Sequence, residues 1–286
     1  MATISNGLGL LDILLVNMFE LTVQEWRNIC PDLTVDQCAT IEPLPFTVAE
    51  LTSIADQFWK TGYLNIPQLL SPSEFEPIIS AFNALQAANI PPVYIYIFDQ
   101  PWVLFEKLRT LISHFLGDKY ALLPNFWAWH LSEHGKTGWP PHRDCDAETV
   151  FQIGPDPVLM SLSLWIPLSD VDEENGCMSV VARSEEINLP EDGRLNLEDL
   201  SAYATCLPAK AGSVLGWRQD LVHWGGEFTP KAKTPRISLS FEFQNRFFDP
   251  LVEPLLDTGH PPKFTDRVAL LGAQFDKYKH IDPDLG

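Results

Sequence analysis

The sequence predicts a mainly β fold with helices (α+β): a double-stranded β-helix, or cupin-like jelly roll, flanked by N-terminal helices. Three observations predict it. Helical punctuation fills the first 120 residues, and short β-rich segments divided by turn clusters fill residues 121–245. No repeat, low-complexity tract or linker divides the 286 residues, a length that suits one large sandwich with a core and a cavity. The expected organisation is one domain over 1–286, with a mostly helical lead-in at 1–120, a jelly-roll core at 121–245 and a C-terminal extension at 246–286.

Taken in order, Gly7–Phe19 is apolar, but Asp12 interrupts it, no basic residue precedes it and no small-residue cleavage site follows. It is also too short to span a bilayer. It reads as an amphipathic helix that packs on the body or serves a homodimer. Thr47-Val-Ala-Glu50 has the form of a capping box, and the helix it opens stops at Gly62. Ser71-Pro72-Ser73-Glu74 repeats the device with proline at the first helical position and opens a helix to about Ala88. Pro101–Leu116 is a third helix, closed by Gly117. Leu122–Leu131, Leu159–Leu168, Met178–Ala182, Ser213–Trp217 and Arg236–Gln244 read as strands, being short and rich in β-branched and aromatic residues.

The formal net charge of −19 repels polyanions and argues against nucleic acid as a partner. Acidic residues gather at Asp170–Glu174 and Glu185–Asp199, which read as solvated loops. Five cysteines without a CxxC pair point to free thiols in a reducing compartment, hence a cytoplasmic protein with no membrane contact. Most of the nine Trp and seventeen Phe read as core, with enough left over to line an apolar pocket.

The chemistry begins at His142-Arg143-Asp144. On an extended segment, residues two apart share a face, so one imidazole and one carboxylate can converge on an ion. A lone HxD is common by chance. A second histidine, His223 in Leu221-Val-His-Trp-Gly-Gly, follows 81 positions later. Two histidines and one carboxylate can hold iron(II) on one face and leave three positions open. Asp146 could stand in as the carboxylate, but the tight spacing favours Asp144.

Thirteen positions after His223 comes Arg236-Ile237-Ser238, within a strand-like run that again places i and i+2 on one face. A guanidinium fork and a hydroxyl suit a carboxylate. The distal carboxylate of 2-oxoglutarate needs such a grip while its keto-acid end chelates the metal. Taken singly, each residue has an ordinary structural use, and Arg236 could pair with Glu242 or an acidic loop. The ordered set carries the reading. Of the remaining histidines, His114, His260 and His280 read as packing or surface, and His134 lies close before the motif. His130 alternates with the Trp127/Trp129 face, so it lines either the pocket or the core, and His130 and Trp127 are candidate substrate contacts. Cys145 reads as a small buried filler.

From about Phe46 to Asn245 the chain resembles the phytanoyl-CoA dioxygenase (PhyH) family of iron(II)/2-oxoglutarate-dependent oxygenases. Asp56–Pro67 is similar to the family's opening helix-to-strand passage, and Gly138-Trp-Pro-Pro-His-Arg-Asp144 to its metal motif. Leu164-Trp-Ile-Pro-Leu-Ser-Asp-Val-Asp-Glu-Glu-Asn-Gly-Cys-Met178 is similar to its central strand and turn, the most specific stretch. The resemblance implies iron(II), 2-oxoglutarate and O2 as cofactors, His142, Asp144 and His223 as ligands, and Trp165 at the border of the 2-oxoglutarate pocket. Where the family reads Pro-Gly-Ser-His, this chain reads Ala182-Arg183-Ser184-Glu185. That histidine is not a ligand, so the metal site is untouched, while acyl-CoA specificity is not carried over. Related halogenases replace the carboxylate with a small residue; Asp144 favours hydroxylation, desaturation or oxidative dealkylation. The implied activity is oxidation of a small, amino-acid-like metabolite in a biosynthetic pathway, with release of succinate and CO2. Two other classes stay compatible. A cupin-type metalloenzyme not using 2-oxoglutarate would not need Arg236 and Ser238, and a non-catalytic jelly-roll binding protein would not need the triad.

Overall fold

A computed structural model describes residues 18–37, 40–186 and 196–278. Most of the apolar Gly7–Phe19 stretch, part of the Glu185–Asp199 loop and His280 lie outside them. Four helices and a short 3-10 helix hold most of the lead-in: α1 (Val23–Ile29), α2 (Val48–Thr61), α3 (Pro72–Ala87), the 3-10 helix (Pro92–Ile97) and α4 (Asp99–Lys107). A fifth, α5 (Arg109–Leu116), follows α4 after a break at Leu108, so the single helix expected at Pro101–Leu116 is two. The capping boxes form as the spacing requires. Thr47 accepts from the Glu50 backbone N–H at 3.2 Å while Glu50 accepts from the Thr47 N–H at 2.7 Å. Glu74 likewise accepts from the Ser71 N–H at 2.7 Å.

The lead-in also supplies β1 (Tyr63–Ile66), which joins the main sheet. That sheet has the order β1-β8-β5-β10-β2, with β2 at Tyr120–Leu131, β5 at Ser161–Pro167, β8 at Val214–Arg218 and β10 at Arg236–Asn245. All its pairings are antiparallel. Facing it is a smaller sheet of order β7-β6-β9, with β6 at Met178–Val181, β7 at Ala204–Leu207 and β9 at His223–Gly225. The 137–142 segment runs antiparallel beside β9, bridging Thr137 to Glu227 and His142 to His223. A separate hairpin joins β3 (Val150–Ile153) and β4 (Asp156–Leu159), and one helical turn, α6 (Leu197–Leu200), precedes β7. The fold is thus the expected jelly roll with helices on one side.

Side-chain alternation separates two interiors. On β10 the residues Ile237, Leu239, Phe241 and Phe243 join the large core under the helices, with Leu162, Leu164 and Ile166 of β5. The opposite faces carry Trp165, Leu215 and Trp217, which pack with Val180, Cys177 and Met178 between the sheets. The C-terminal extension is no loose tail: α7 (Phe264–Tyr278) returns across the molecule. The buried Arg267 donates to Asp99 at 2.6 Å and to the Ile97 carbonyl at 2.8 Å, fixing the start of the helix.

Candidate active site

Both candidate histidines sit on one short antiparallel bridge. The His142 N–H donates to the His223 carbonyl and the His223 N–H to the His142 carbonyl, each at 3.0 Å. Backbone pairing therefore fixes the distance between two residues remote in sequence, and the rings lie 4.3 Å apart. Each Nδ1 meets a backbone carbonyl, Pro140 for His142 (2.7 Å) and Leu221 for His223 (3.0 Å). A carbonyl can only accept, so each Nδ1 carries hydrogen and each Nε2 keeps its lone pair for an ion.

The Nε2 atoms of His142 and His223 lie 3.5 and 3.6 Å from Oδ1 of Asp144. Its Oδ2 is held by the Ser163 hydroxyl at 2.6 Å and the Trp217 indole N–H at 3.1 Å, which turns Oδ1 toward the histidines. One ligand atom from each of the three residues falls within 4.8 Å of the others. Burial pushes the His223 imidazole down to about 4, against the pull of Asp144. Burial would also lower His142, but the hydrogen bond and charge of Asp144 leave it raised. Burial opposes ionisation of Asp144, yet His223 and His142 hold its carboxyl well below the usual range. A carboxylate between two Nε2 lone pairs is a donor set suited to a divalent transition metal. Asp146 is exposed and outside this cluster.

Arg236 and Ser238 line up on the inward face of β10. Arg236 is 1% exposed, and its Nη1 donates to the Gly176 carbonyl at 2.5 Å. Its Nε has no partner, nor have the Ser238 hydroxyl and the Trp165 and Trp129 indole N–H groups. Burial lowers this guanidinium to about 10, and among the described residues no carboxylate forms an ion pair with it. Unpaired buried donors are costly, so this cluster is short of an anion, and the distal carboxylate of 2-oxoglutarate would meet that need. Gly225 and Gly138 make room for the fork: a Cβ on Gly225 would stand 2.7 Å from Arg236 Nη1, and one on Gly138 would stand 3.0 Å from Nη2.

One cavity gathers His142, Asp144, His223, Arg236, Trp165 and Trp127. His130 is not among its lining residues. It lies one position off the Trp127/Trp129 alternation, has its ring 6.3 Å from Phe82 and borders a groove along the outer edge of β2. Glu242 is also absent as a partner for Arg236: it lies six residues along the same strand and accepts from Asn125 (2.6 Å) and Gln219 (2.9 Å). Burial, with Asp144 adding to it, pushes the Glu242 carboxyl up to about 7. Sequence reasoning missed Glu242, Ser163, Trp139 and Tyr278 as lining residues. The i+2 rule carried past Ser238 to Ser240 and Glu242 would have found the first of them.

Residues 97–234 match the family described as Phytanoyl-CoA dioxygenase (PhyH), a stretch inside the Phe46–Asn245 resemblance that contains all three triad residues. No curated protein sequence matches the chain. Among solved structures, the non-heme alpha ketoglutarate dependent epimerase SnoN from nogalamycin biosynthesis is similar with a TM-score of 0.53 at 18% identity, over 76% of this chain and 94% of that one. HygX from Streptomyces hygroscopicus, solved with nickel and 2-oxoglutarate bound, gives a TM-score of 0.56 at 14% identity, over 76% and 97%. The carbocyclase SnoK, also from nogalamycin biosynthesis, gives 0.52 at 15%, over 77% and 96%. At such identities these likenesses speak for the fold, which is the one the strands and sheets above describe. Residues 97–234, just under half of the chain, thus match the phytanoyl-CoA dioxygenase (PhyH) family, and the enzyme is of the iron(II)/2-oxoglutarate-dependent oxygenase type.

Proposed function

We propose that the chain oxidises a small-molecule metabolite with iron(II), 2-oxoglutarate and O2. The observation that carries this reading is one cavity holding both a two-histidine, one-carboxylate cluster and an anion-seeking Arg236. His142, Asp144 and His223 would hold the metal, and Arg236, Ser238 and Trp165 would hold the cosubstrate. Bound there, the pair supplies an oxidant made from O2, with succinate and CO2 as co-products. The protein's own residues orient and enclose. Ser163 and Trp217 aim the Asp144 oxygen, and the carbonyls of Pro140 and Leu221 set the histidine tautomers. Trp127, Trp139 and Tyr278 close round the cavity in mutual ring contact and exclude water from it.

Hydroxylation, desaturation and oxidative dealkylation of an amino-acid-like metabolite are the outcomes Asp144 favours, in a biosynthetic setting like those of SnoN and SnoK. The test is anaerobic titration with Fe(II) and 2-oxoglutarate, followed by the visible metal-to-ligand charge-transfer band. A band is expected in the parent and none in His223→Ala. Arg236→Ala should need about tenfold more 2-oxoglutarate or beyond, the least that loss of a charge-assisted contact implies. Bound iron without a band would favour a cupin-type enzyme, and no iron would sink the enzyme reading.

A further inference from the structure

We infer that the substrate carries an ammonium group, bound by Glu242 beside the rings of Trp127, Trp139 and Tyr278. This deepens the reading above and rests on it for the placement of iron and 2-oxoglutarate.

The inward face of β10 is electrically polar. Arg236 stands at one end and Glu242 at the other, with Ser238 and Ser240 between them. Six residues of extended strand separate the two charges by about 20 Å. The metal cluster lies nearer the acidic end. Glu242 pairs across the sheet with Ser163, whose hydroxyl holds Asp144. Gln219 ties the two together, donating to Glu242 Oε2 at 2.9 Å and to Ser163 Oγ at 3.3 Å. The two ends of the strand thus call for different ligands: an anion at Arg236 and a cation at Glu242.

The local geometry around Glu242 is built. Between Phe241 and Phe243 the pairing of β10 with β2 slips, and the slip brings the Asn125 amide onto Glu242 Oε2. Gln274 of α7 satisfies backbone groups at the slip, accepting from the Phe126 N–H and donating to the Pro124 carbonyl. Two amide donors therefore hold one oxygen of the carboxylate, and Glu242 lines the metal cavity. Lys277, whose charge also reaches Glu242, donates to Asn125 Oδ1 at 2.7 Å and lies 5.0 Å from the Tyr278 ring centroid, but it is not part of the cavity lining.

Charge balance points the same way. Iron(II), the Asp144 carboxylate, dianionic 2-oxoglutarate and Arg236 together are neutral. An ionised Glu242 then leaves one negative charge among the cavity-lining groups; Lys277, off that lining, acts on it from one side, and a substrate ammonium inside the cavity would remove the remaining cost. The three rings suit the same group. Trp139 meets Tyr278 at 4.4 Å between centroids, Trp127 meets Tyr278 at 5.2 Å and Trp139 meets His142 at 5.8 Å, so aromatic surface runs from Tyr278 to the metal ligands. Aromatic faces attract ammonium groups. The chain's −19 charge favours approach of a cation from solution.

The experiment compares hexylammonium, hexanol and hexanoate by tryptophan fluorescence titration of the anaerobic protein loaded with Fe(II) and 2-oxoglutarate, then of the metal-free protein. Hexylammonium should bind about tenfold more tightly than hexanol, with hexanoate weakest. Glu242→Gln, which keeps an oxygen for the Asn125 and Gln219 amides, should bind hexylammonium no better than hexanol. Equal binding of the amine and the alcohol by the parent, or a preference surviving in Glu242→Gln, would overturn the proposal. An amine preference in a protein that shows no charge-transfer band would keep the ammonium site and sink the oxygenase reading. A band without the preference would do the reverse.

Discussion

Asp144 shows how much of a candidate metal site is decided outside its ligands. Its Oδ1 faces the histidines because Oδ2 is engaged by Ser163 and Trp217. Removing the hydroxyl leaves the ligand in place but free to turn. Ser163→Ala should therefore weaken Fe(II) binding about 10- to 100-fold, the usual effect of losing an outer-shell partner, while leaving the fold intact. Anaerobic iron titration checks it, and unchanged affinity would mean that Trp217 alone sets the carboxylate. Such partners were not legible in the sequence, because Ser163 and Trp217 reach Asp144 through cross-strand pairing. The candidate ligands themselves were legible, and the structure brings them together. HxD spacing needs only an extended backbone, and the glycines after His223 mark a close approach that the structure puts against Arg236. Glu242 shows the opposite failure. Read as a counter-ion for Arg236, it shares that face, but six residues of strand keep the two apart.

Among the elements, α7 has the largest consequence, and no helix is expected there from the sequence. Its cavity-facing residue, Tyr278, is meaningful only because the helix returns to the mouth of the roll. The helix is held by a buried ion pair at its start and by Gln274 on the β2 slip near its end. Arg267→Met should leave Asp99, 1% exposed, with fewer donors, although Thr34 and the Asp36 and Gln37 N–H groups still serve it. A loss of about 3 kcal/mol is expected, at the low end for breaking a buried pair, and urea unfolding measures it. A change below about 0.5 kcal/mol would show that packing alone holds α7. Capping boxes made α2 and α3 readable, and long alternating runs made β2, β5 and β10 readable. β1, β7 and β9 are three or four residues each and exist through their neighbours, so local pattern could not find them.

At the scale of the whole molecule, two buried groups of the cavity tie stability to pH in opposite directions. Glu242 has an ordinary value of 4.5 and sits at about 7 in the fold. Its contribution is present below 4.5 and is lost as pH rises through 7. His223 has an ordinary value of 6.5 and sits at about 4, so its contribution is present above 6.5 and is lost as pH falls through 4. In the metal-free protein the two slopes oppose each other between 4.5 and 6.5, and this site leaves stability nearly flat there. Glu242→Gln removes one slope and leaves the other. The variant should gain stability as pH rises across that interval and should exceed the parent at pH 8 by roughly 3 kcal/mol. Urea midpoints of both metal-free proteins at pH 5 and pH 8 measure this. Parallel profiles for parent and variant would show that Glu242 titrates as it does in the unfolded chain. Iron shifts the balance in a direction that can also be read. Once the charge of Asp144 is engaged by a metal, the repulsion that adds to burial at Glu242 falls, so the parent's loss of stability toward pH 8 should shrink on loading. Mass action adds stability at every pH, but only relief at Glu242 reduces that loss in the parent more than in Glu242→Gln.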